Sequence, residues 1–372
     1  MAGRQRRVLS WALALVALAF VVWAVPLRDR CWDPRAPQST RVGITREPSG
    51  CLLHLTSGEV RVDASTCAQL KCEPGVVSTL VGARPGVILA MMGVYAFGTF
   101  VWAARWRALL GFAGIDLRLS EVWRISVEAQ AGGVLLPGGI GGDALRIAGV
   151  VARPTRAGEA RSPVAIAVAS VLLDRGIGLS LIAGLAAALA FVWGGARTGS
   201  LAVVLAALPV CFVSALLVLR LAPLHRASWL TEGRVGRILG PVLDYVRDPR
   251  APFAIARAAA LSAVVAACQF IAIRGLLVAL GAVPTQEKWV YLGTAMAFIV
   301  SAVPALPGGW GTADAAYVYF FGLGGIAPGA ALGVCLLFRM FWYISGVVGA
   351  ILFVTRPPRL APPSQGERMD VD

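Results

Sequence analysis

The sequence predicts an all-α, polytopic helical membrane protein of about six full spans plus two re-entrant helical hairpins, with the pattern of an inverted repeat. Three observations carry this reading. Hydrophobic residues make up 58% of the 372-residue chain and charged residues only 15%, where a soluble domain carries about a quarter charged. The charges fall between apolar stretches of about 18 residues or more, each long enough for a ~30 Å hydrocarbon core. Two further apolar regions do not fit simple crossings and are interrupted by Pro and Gly.

Arg4, Arg6 and Arg7 precede an uncharged stretch from Val8 to Pro26. By the positive-inside rule residues 1–26 form an N-terminal transmembrane anchor with its amino end in the cytoplasm. A cleaved signal peptide is the competing reading, although Ala24-Val25-Pro26 is a poor cleavage site and no lipobox surrounds Cys31. Either reading exports the next segment. Residues 27–86 form a polar loop holding Cys31, Cys51, Cys67 and Cys72. Leu52–Thr56 and Glu59–Val62 alternate about Ser57-Gly58 as a two-residue β-hairpin. A unit this small needs staples, so the four cysteines are expected to form two disulfides outside the cytoplasmic membrane, with the pairing open. A zinc site using Cys67-x4-Cys72 is the alternative and would require the loop to lie inside. Eight Lys/Arg in this loop oppose the charge rule, but loops of this length translocate largely regardless of charge.

From here residues 87–355 read as the main transmembrane domain. Val87–Ala104 returns to the cytoplasm and ends at Arg105-Trp106-Arg107, an aromatic and basic interfacial anchor. Pro163–Trp193 crosses outward and Leu201–Leu221 crosses back. A basic loop at 222–253 lies inside, Ala254–Gly281 goes out, and Ala330–Val354 comes in. The Pro-rich tail, 356–372, is expected to be disordered and cytoplasmic. Arg274, near the outer end of its span, is expected to snorkel.

The two exceptional regions resemble each other. Trp289–Val303 is about 15 residues, roughly 22 Å as a helix, and ends at Pro304-Ala305-Leu306-Pro307-Gly308-Gly309-Trp310-Gly311 before a second short helix. Leu119–Leu136 leads to Pro137-Gly138-Gly139-Ile140-Gly141-Gly142-Asp143 and a short basic helix with Arg146. Both breaks read Pro-Gly-Gly-x-Gly followed by an aspartate, Asp143 or Asp314, and they fall on opposite sides of this topology. Irregular backbone at membrane depth is tolerated only where protein buries it or a wet cavity borders it. Gly138, Gly139, Gly141, Gly308, Gly309 and Gly311 would let a ligand approach the N-termini of the outgoing half-helices, which favour an anionic group. The alternative is that these glycines only permit close packing and that the aspartates are N-caps.

Asp174-Arg175 sits near mid-span, where each charge costs about 2.5 to 3.5 kcal/mol on the insertion scale. Neighbours on a helix diverge by about 100°, so each needs its own partner. Arg339, also mid-span, is the candidate for Asp174, and Asp314 the candidate for Arg175. These residues either border a polar pathway or form a structural ion pair.

Other chemistry is excluded by what the chain lacks. With only His54 and His225 there is no HExxH and no histidine metal cluster, so no metal is expected. GGIGGD lacks the dinucleotide spacing, no Walker lysine is present, and no cofactor is expected. The net charge of +14 is spread over loops rather than one basic face with aromatics, which points to a membrane surface and not to nucleic acid.

At these motifs the sequence resembles the transmembrane region of the lysylphosphatidylglycerol synthase family, flippase-like membrane proteins of bacteria and archaea. The resemblance rests on LLPGGIGGDALR (Leu135–Arg146), LLDRGIGL (Leu172–Leu179), PALPGGWGTADAAY (Pro304–Tyr317) and LLFRMFWY (Leu336–Tyr343), and covers roughly residues 87–355. It implies movement of an amphiphilic lipid between leaflets, or service to an enzyme that makes or uses one. Asp174 and Asp314 stand where the family usually has Glu, and the Cys-rich loop is outside its usual pattern. Only 18 residues follow Val354, so no aminoacyltransferase domain is expected and the chain is not expected to charge a lipid itself.

The resulting expectation is a non-enzymatic lipid translocase of the bacterial cytoplasmic membrane, with both termini inside. Its polar cavity would be bordered by both hairpins, Asp143, Asp174 and Asp314, with Arg146, Arg175 and Arg339 contacting an anionic phospholipid or polyprenyl phosphate. The alternatives are an accessory or catalytic unit for a lipid-linked glycosyltransferase, with a lipid-modifying enzyme as partner, and a membrane scaffold. The catalytic form lacks an Asp-x-Asp other than Asp370-Val371-Asp372 in the tail.

Overall fold

The computed structural model describes residues 25, 27, 29–32, 42–47, 50–55, 58–135, 139–152, 163–194, 198–221, 242–302 and 309–355. The expected first span, Gly138, Gly308, the 222–241 loop and the tail lie outside the described residues.

The Cys-rich segment holds a five-stranded antiparallel sheet: β1 (Arg30–Trp32), β2 (Val42–Glu47), β3 (Gly50–Leu55), β4 (Gly58–Asp63) and β5 (Lys71–Glu73), in the order β4-β3-β2-β1-β5. A short helix, α1 (Ala64–Gln69), joins β4 to β5. The expected hairpin strands pair, with the second strand starting one residue earlier than the sequence suggested. Leu55 pairs with Gly58, so Gly58 belongs to β4 and not to the turn. The reason lies in the register. It pairs Cys51 with Val62, and both join the small core formed with Cys31, Ile44, Cys67 and Cys72. Two disulfides close that core, Cys31–Cys72 and Cys51–Cys67. Cys67 and Cys72 thus belong to different bridges, which leaves no thiolate pair for the zinc alternative.

A short helix, α2 (Val76–Val81), leads into the membrane part. There α3 (Pro85–Phe112) precedes α4 (Leu119–Leu135), α5 (Ile140–Val151) and α6 (Pro163–Gly194). After α7 (Gly199–Leu221) come α8 (Ala251–Ala279), α9 (Glu287–Ser301), α10 (Thr312–Leu323) and α11 (Pro328–Thr355). Among the described residues, α3, α6, α7, α8 and α11 are long and apolar enough to cross a membrane. They match the five expected crossings that fall on described residues, and the helical, polytopic membrane fold stands.

The paired short helices also form. At 1.5 Å per residue, α4 (17 residues) and α9 (15 residues) reach about 26 and 22 Å, and α5 and α10 (12 residues each) about 18 Å. Each pair packs on itself. The element order long helix, short pair, long helix therefore occurs twice. The lengths are 28, 17, 12 and 32 residues for α3 to α6 and 29, 15, 12 and 28 for α8 to α11, with α7 between the two copies.

The chain divides into two compact units. One comprises 1–95, 189–197 and 269–341; the other comprises 96–188, 198–268 and 342–372. The core of the first is built from Ile273, Leu276, Leu277, Val290, Phe321 and Val334 with their neighbours. In the second, Trp106, Leu110, Ile115, Val122, Ile125 and Val150 pack together, and Leu109, Ile177 and Tyr245 form an adjoining cluster. The α4/α5 pair belongs wholly to the second unit and the α9/α10 pair to the first.

Candidate functional site

The larger charged cluster lies in the second unit, around the α4/α5 hairpin. The hairpin closes because glycines let the two helices touch backbone to backbone. A Cβ on Gly132 would fall 2.7 Å from the Gly141 carbonyl oxygen, and one on Gly142 would fall 2.9 Å from that of Ala129. Gly139 enters α5 with φ +72, a left-handed conformation, and a Cβ there would meet Arg175 Nη2 at 2.4 Å. The tip position thus favours glycine through its backbone conformation, and the Arg175 guanidinium fills the space beside it.

Asp143, in the first turn of α5, accepts a 2.6 Å hydrogen bond from Arg175 Nε, and Arg175 Nη2 donates to the Gly139 carbonyl at 3.2 Å. One turn later comes Arg146, on the same helix face as Asp143. Its Nη2 donates to Asp174 Oδ2 at 2.9 Å, and its Nη1 lies 3.8 Å from Asp143 Oδ1. Asp174 also accepts from Arg105 Nε at 2.7 Å and from Trp102 Nε1 at 3.3 Å. The Arg146 guanidinium lies 4.0 Å from the Trp106 ring centroid and 4.8 Å from that of Trp102, within cation–π range. Trp106 is held by its own hydrogen bond to Ser170 Oγ, and Arg105 Nη1 donates to Ser262 Oγ at 2.8 Å.

These residues form two layers. Arg105, Asp174 and Arg146 are buried, with side chains 7%, 1% and 2% exposed. Asp143 and Arg175 remain 22% and 38% exposed. Three guanidiniums face two carboxylates, so the cluster carries one net positive charge. Arg146 Nε is buried without a hydrogen-bond partner among the described residues.

The second cluster lies in the first unit, around α9/α10. Gly309 and Gly311 have φ +66 and +78, and a Cβ on Gly309 would fall 2.9 Å from Ser301 Cβ. Asp314, at the third position of α10, accepts the Gly311 N–H at 2.9 Å, the reach-back contact of a helix N-terminus. The same carboxylate takes Arg339 Nη2 at 2.9 Å, Nη1 at 3.4 Å and the Cys335 thiol at 2.7 Å. Trp310 covers the Arg339 guanidinium at 4.0 Å. Asp314 and Arg339 side chains are 2% and 5% exposed, and the pair is neutral. In both clusters, then, an aspartate in the first turn of the outgoing half-helix pairs with an arginine of the long helix that follows.

Two pairings expected from sequence are corrected here. Asp174 pairs with Arg105 and Arg146 rather than Arg339, and Arg175 pairs with Asp143 rather than Asp314. The physical cause is the length of α3. Arg105 is not at an interface, because the helix continues to Phe112 and buries Arg105 and Trp106 to 6% and 0% exposure. A signal for this was present: Trp102, Arg105 and Trp106 are spaced i, i+3, i+4 and share one face. Only Arg107 behaves as an anchor, with its side chain 46% exposed beside Asp116. Arg274, expected to snorkel, reaches Glu287 at the start of α9, with the two side chains 30% and 44% exposed and their charges 2.8 Å apart.

A helical membrane domain with two half-length hairpins, each fixed by an aspartate–arginine pair at its broken tip, defines a class of polytopic protein with polar groups held at membrane depth. The family described as the lysylphosphatidylglycerol synthase TM region matches residues 75–349, and the chain belongs to that family. No curated protein matches the chain. Membership makes this a multi-pass membrane protein involved in lipid handling.

Proposed function

We propose that the protein is a flippase-like lipid translocase that receives an anionic lipid headgroup, phospholipid or polyprenyl phosphate, at its hairpins. The observation that carries this reading is the net positive cluster at the α4/α5 tip, whose outer pair, Asp143 and Arg175, stays partly exposed. A phosphate approaching Arg175 would meet one guanidinium, the positive end of α5, and the field of the buried Arg105–Asp174–Arg146 triad. Arg146 contributes to that field from behind, and Arg175 reaches the tip itself, where it donates to the Gly139 carbonyl. Gly308, Gly309, Gly311, Asp314 and Arg339 supply the corresponding element in the second copy.

The repeated element order supports an inverted repeat. Among the described residues a single helix, α7, separates the copies, so the second would enter the membrane from the opposite face. On this reading the α4/α5 hairpin opens to the cytoplasm, α9/α10 opens to the other side, and both termini lie inside a bacterial cytoplasmic membrane. The disulfide-linked sheet is then exported, where its bridges persist.

Lipid binding in detergent tests the site. The melting temperature of the wild-type protein should rise with added phosphatidylglycerol or polyprenyl phosphate and not with a neutral lipid of equal chain length. Arg175→Gln should lose most of that shift. Equal shifts with anionic and neutral lipids would remove the headgroup site.

A further inference from the structure

The short helix α2 divides its side chains between two surroundings. Val76 and Thr79 are buried, and they face the start of α11. A Cβ on Gly329 would fall 2.5 Å from the Pro74 carbonyl oxygen, and one on Gly333 would touch Leu80 and Thr79 at 3.8 and 3.9 Å. On the other side Val77 and Val81, four residues apart and so on one face, are 58% and 82% exposed. Leu27, 68% exposed, adjoins them, its carbonyl accepting the Val77 N–H at 3.3 Å.

The position of this apolar face identifies what covers it. Residues 82–84 alone separate α2 from Pro85, where α3 begins. The Arg84 N–H donates to the Ala279 carbonyl at 2.9 Å, at the C-terminal end of α8. With the contacts to α11, this places α2 at the ends of three helices long and apolar enough to cross a membrane, the level at which a bilayer surface would lie. Exposed valines at that level would meet the boundary between headgroups and acyl chains, and the exposed Arg84 would lie among polar headgroups.

We infer that Leu27, Val77 and Val81 form an interfacial lipid-docking face, by which α2 anchors the disulfide-linked sheet on the bilayer surface. The occupant is the lipid interface itself, since α2 packs on the start of α11, stands three residues before α3, and is tied to the end of α8 through Arg84. This inference does not rest on the translocase reading.

The test is spin-label depth measurement in phosphatidylglycerol-containing nanodiscs, with Cys211, Cys268 and Cys335 replaced by Ala and both disulfides retained. Labels at Val77→Cys and Val81→Cys should collide with dissolved oxygen severalfold more, relative to a water-soluble nickel chelate, than a label at Val60→Cys on β4. A ratio equal to that at position 60 would place the face in water, and protection from both reagents would place a protein partner on it. Either result overturns the inference. If labelling disturbs the disulfides, the Val77→Asp/Val81→Asp double variant decides by hydrogen exchange. Amides of α2 should then exchange severalfold faster with α3 unchanged, and unaltered exchange in α2 would contradict lipid docking.

Discussion

Replacing Asp174 by Asn perturbs the buried triad with little change of shape. The parent carboxylate neutralises one of two buried guanidiniums and accepts three donors, from Arg105, Arg146 and Trp102. Asn retains one acceptor oxygen and loses the charge. Arg105 and Arg146 then stay buried, with Asp143 Oδ1 at 3.8 Å from Arg146 as the nearest remaining carboxylate. Leaving a buried charge uncompensated costs about 3 to 5 kcal/mol. Arg105→Met behaves differently, because Asp174 remains paired with Arg146. Its cost is that of one charge-assisted hydrogen bond, about 1.5 to 3 kcal/mol. The Ser262 hydroxyl keeps its bond to the Ala258 carbonyl. In the double variant only one guanidinium lacks its counter-charge, so the loss should fall short of the sum by about 0.5 to 3 kcal/mol. Chemical unfolding in mixed micelles, with parent, both singles and the double, measures the cycle. Parent-like unfolding of Asp174→Asn, or strictly additive losses, would refute the triad.

In the second cluster, Arg339→Ala strands Asp314 and should cost about 3 to 5 kcal/mol in the same assay, while Arg339→Lys should recover only part because the two-pronged contact is lost. Gly349→Val should fail to assemble a stable membrane domain, since a Cβ there falls 2.1 Å from the Val127 carbonyl oxygen. Gly93→Ala, with nothing within 4 Å of its Cβ, should unfold like the parent. Non-reducing peptide mapping should recover Cys31–Cys72 and Cys51–Cys67. Given sequence separations of 41 and 16, chain entropy predicts losses of about 4 and 3 kcal/mol on removing each bridge, read by thermal unfolding of the whole protein.

The parts legible in the sequence were those fixed by local chemistry. Apolar runs at 163–193 and 254–281 are long enough to span, and the Pro-Gly-Gly breaks stop a helix wherever they occur, so the spans and both half-length pairs could be read directly. The partners of Asp174 and Arg175 could not. Pairing depends on which faces meet in three dimensions, and several arginines satisfy a mid-span aspartate equally well on paper. Arg105 was hidden because a charge beside an 18-residue apolar run reads as its end, although the i, i+3, i+4 array with Trp102 and Trp106 marks a buried face. Strand register suffered a similar ambiguity. Alternation at 52–62 gives a hairpin, but Val62 packing with Cys51 fixes the register that takes Gly58 into the strand.

Translocation in proteoliposomes tests the central claim most directly. Vesicles carry a fluorescent phosphatidylglycerol in both leaflets, and a membrane-impermeant reductant added outside destroys the dye it can reach. With wild-type protein the account predicts bleaching beyond the outer-leaflet share seen in empty vesicles. With Arg175→Gln, folded as judged by its melting profile, bleaching should fall towards that baseline. Wild-type protein that never exceeds the empty-vesicle baseline, with phosphatidylglycerol or with polyprenyl phosphate, would contradict lipid translocation by this chain.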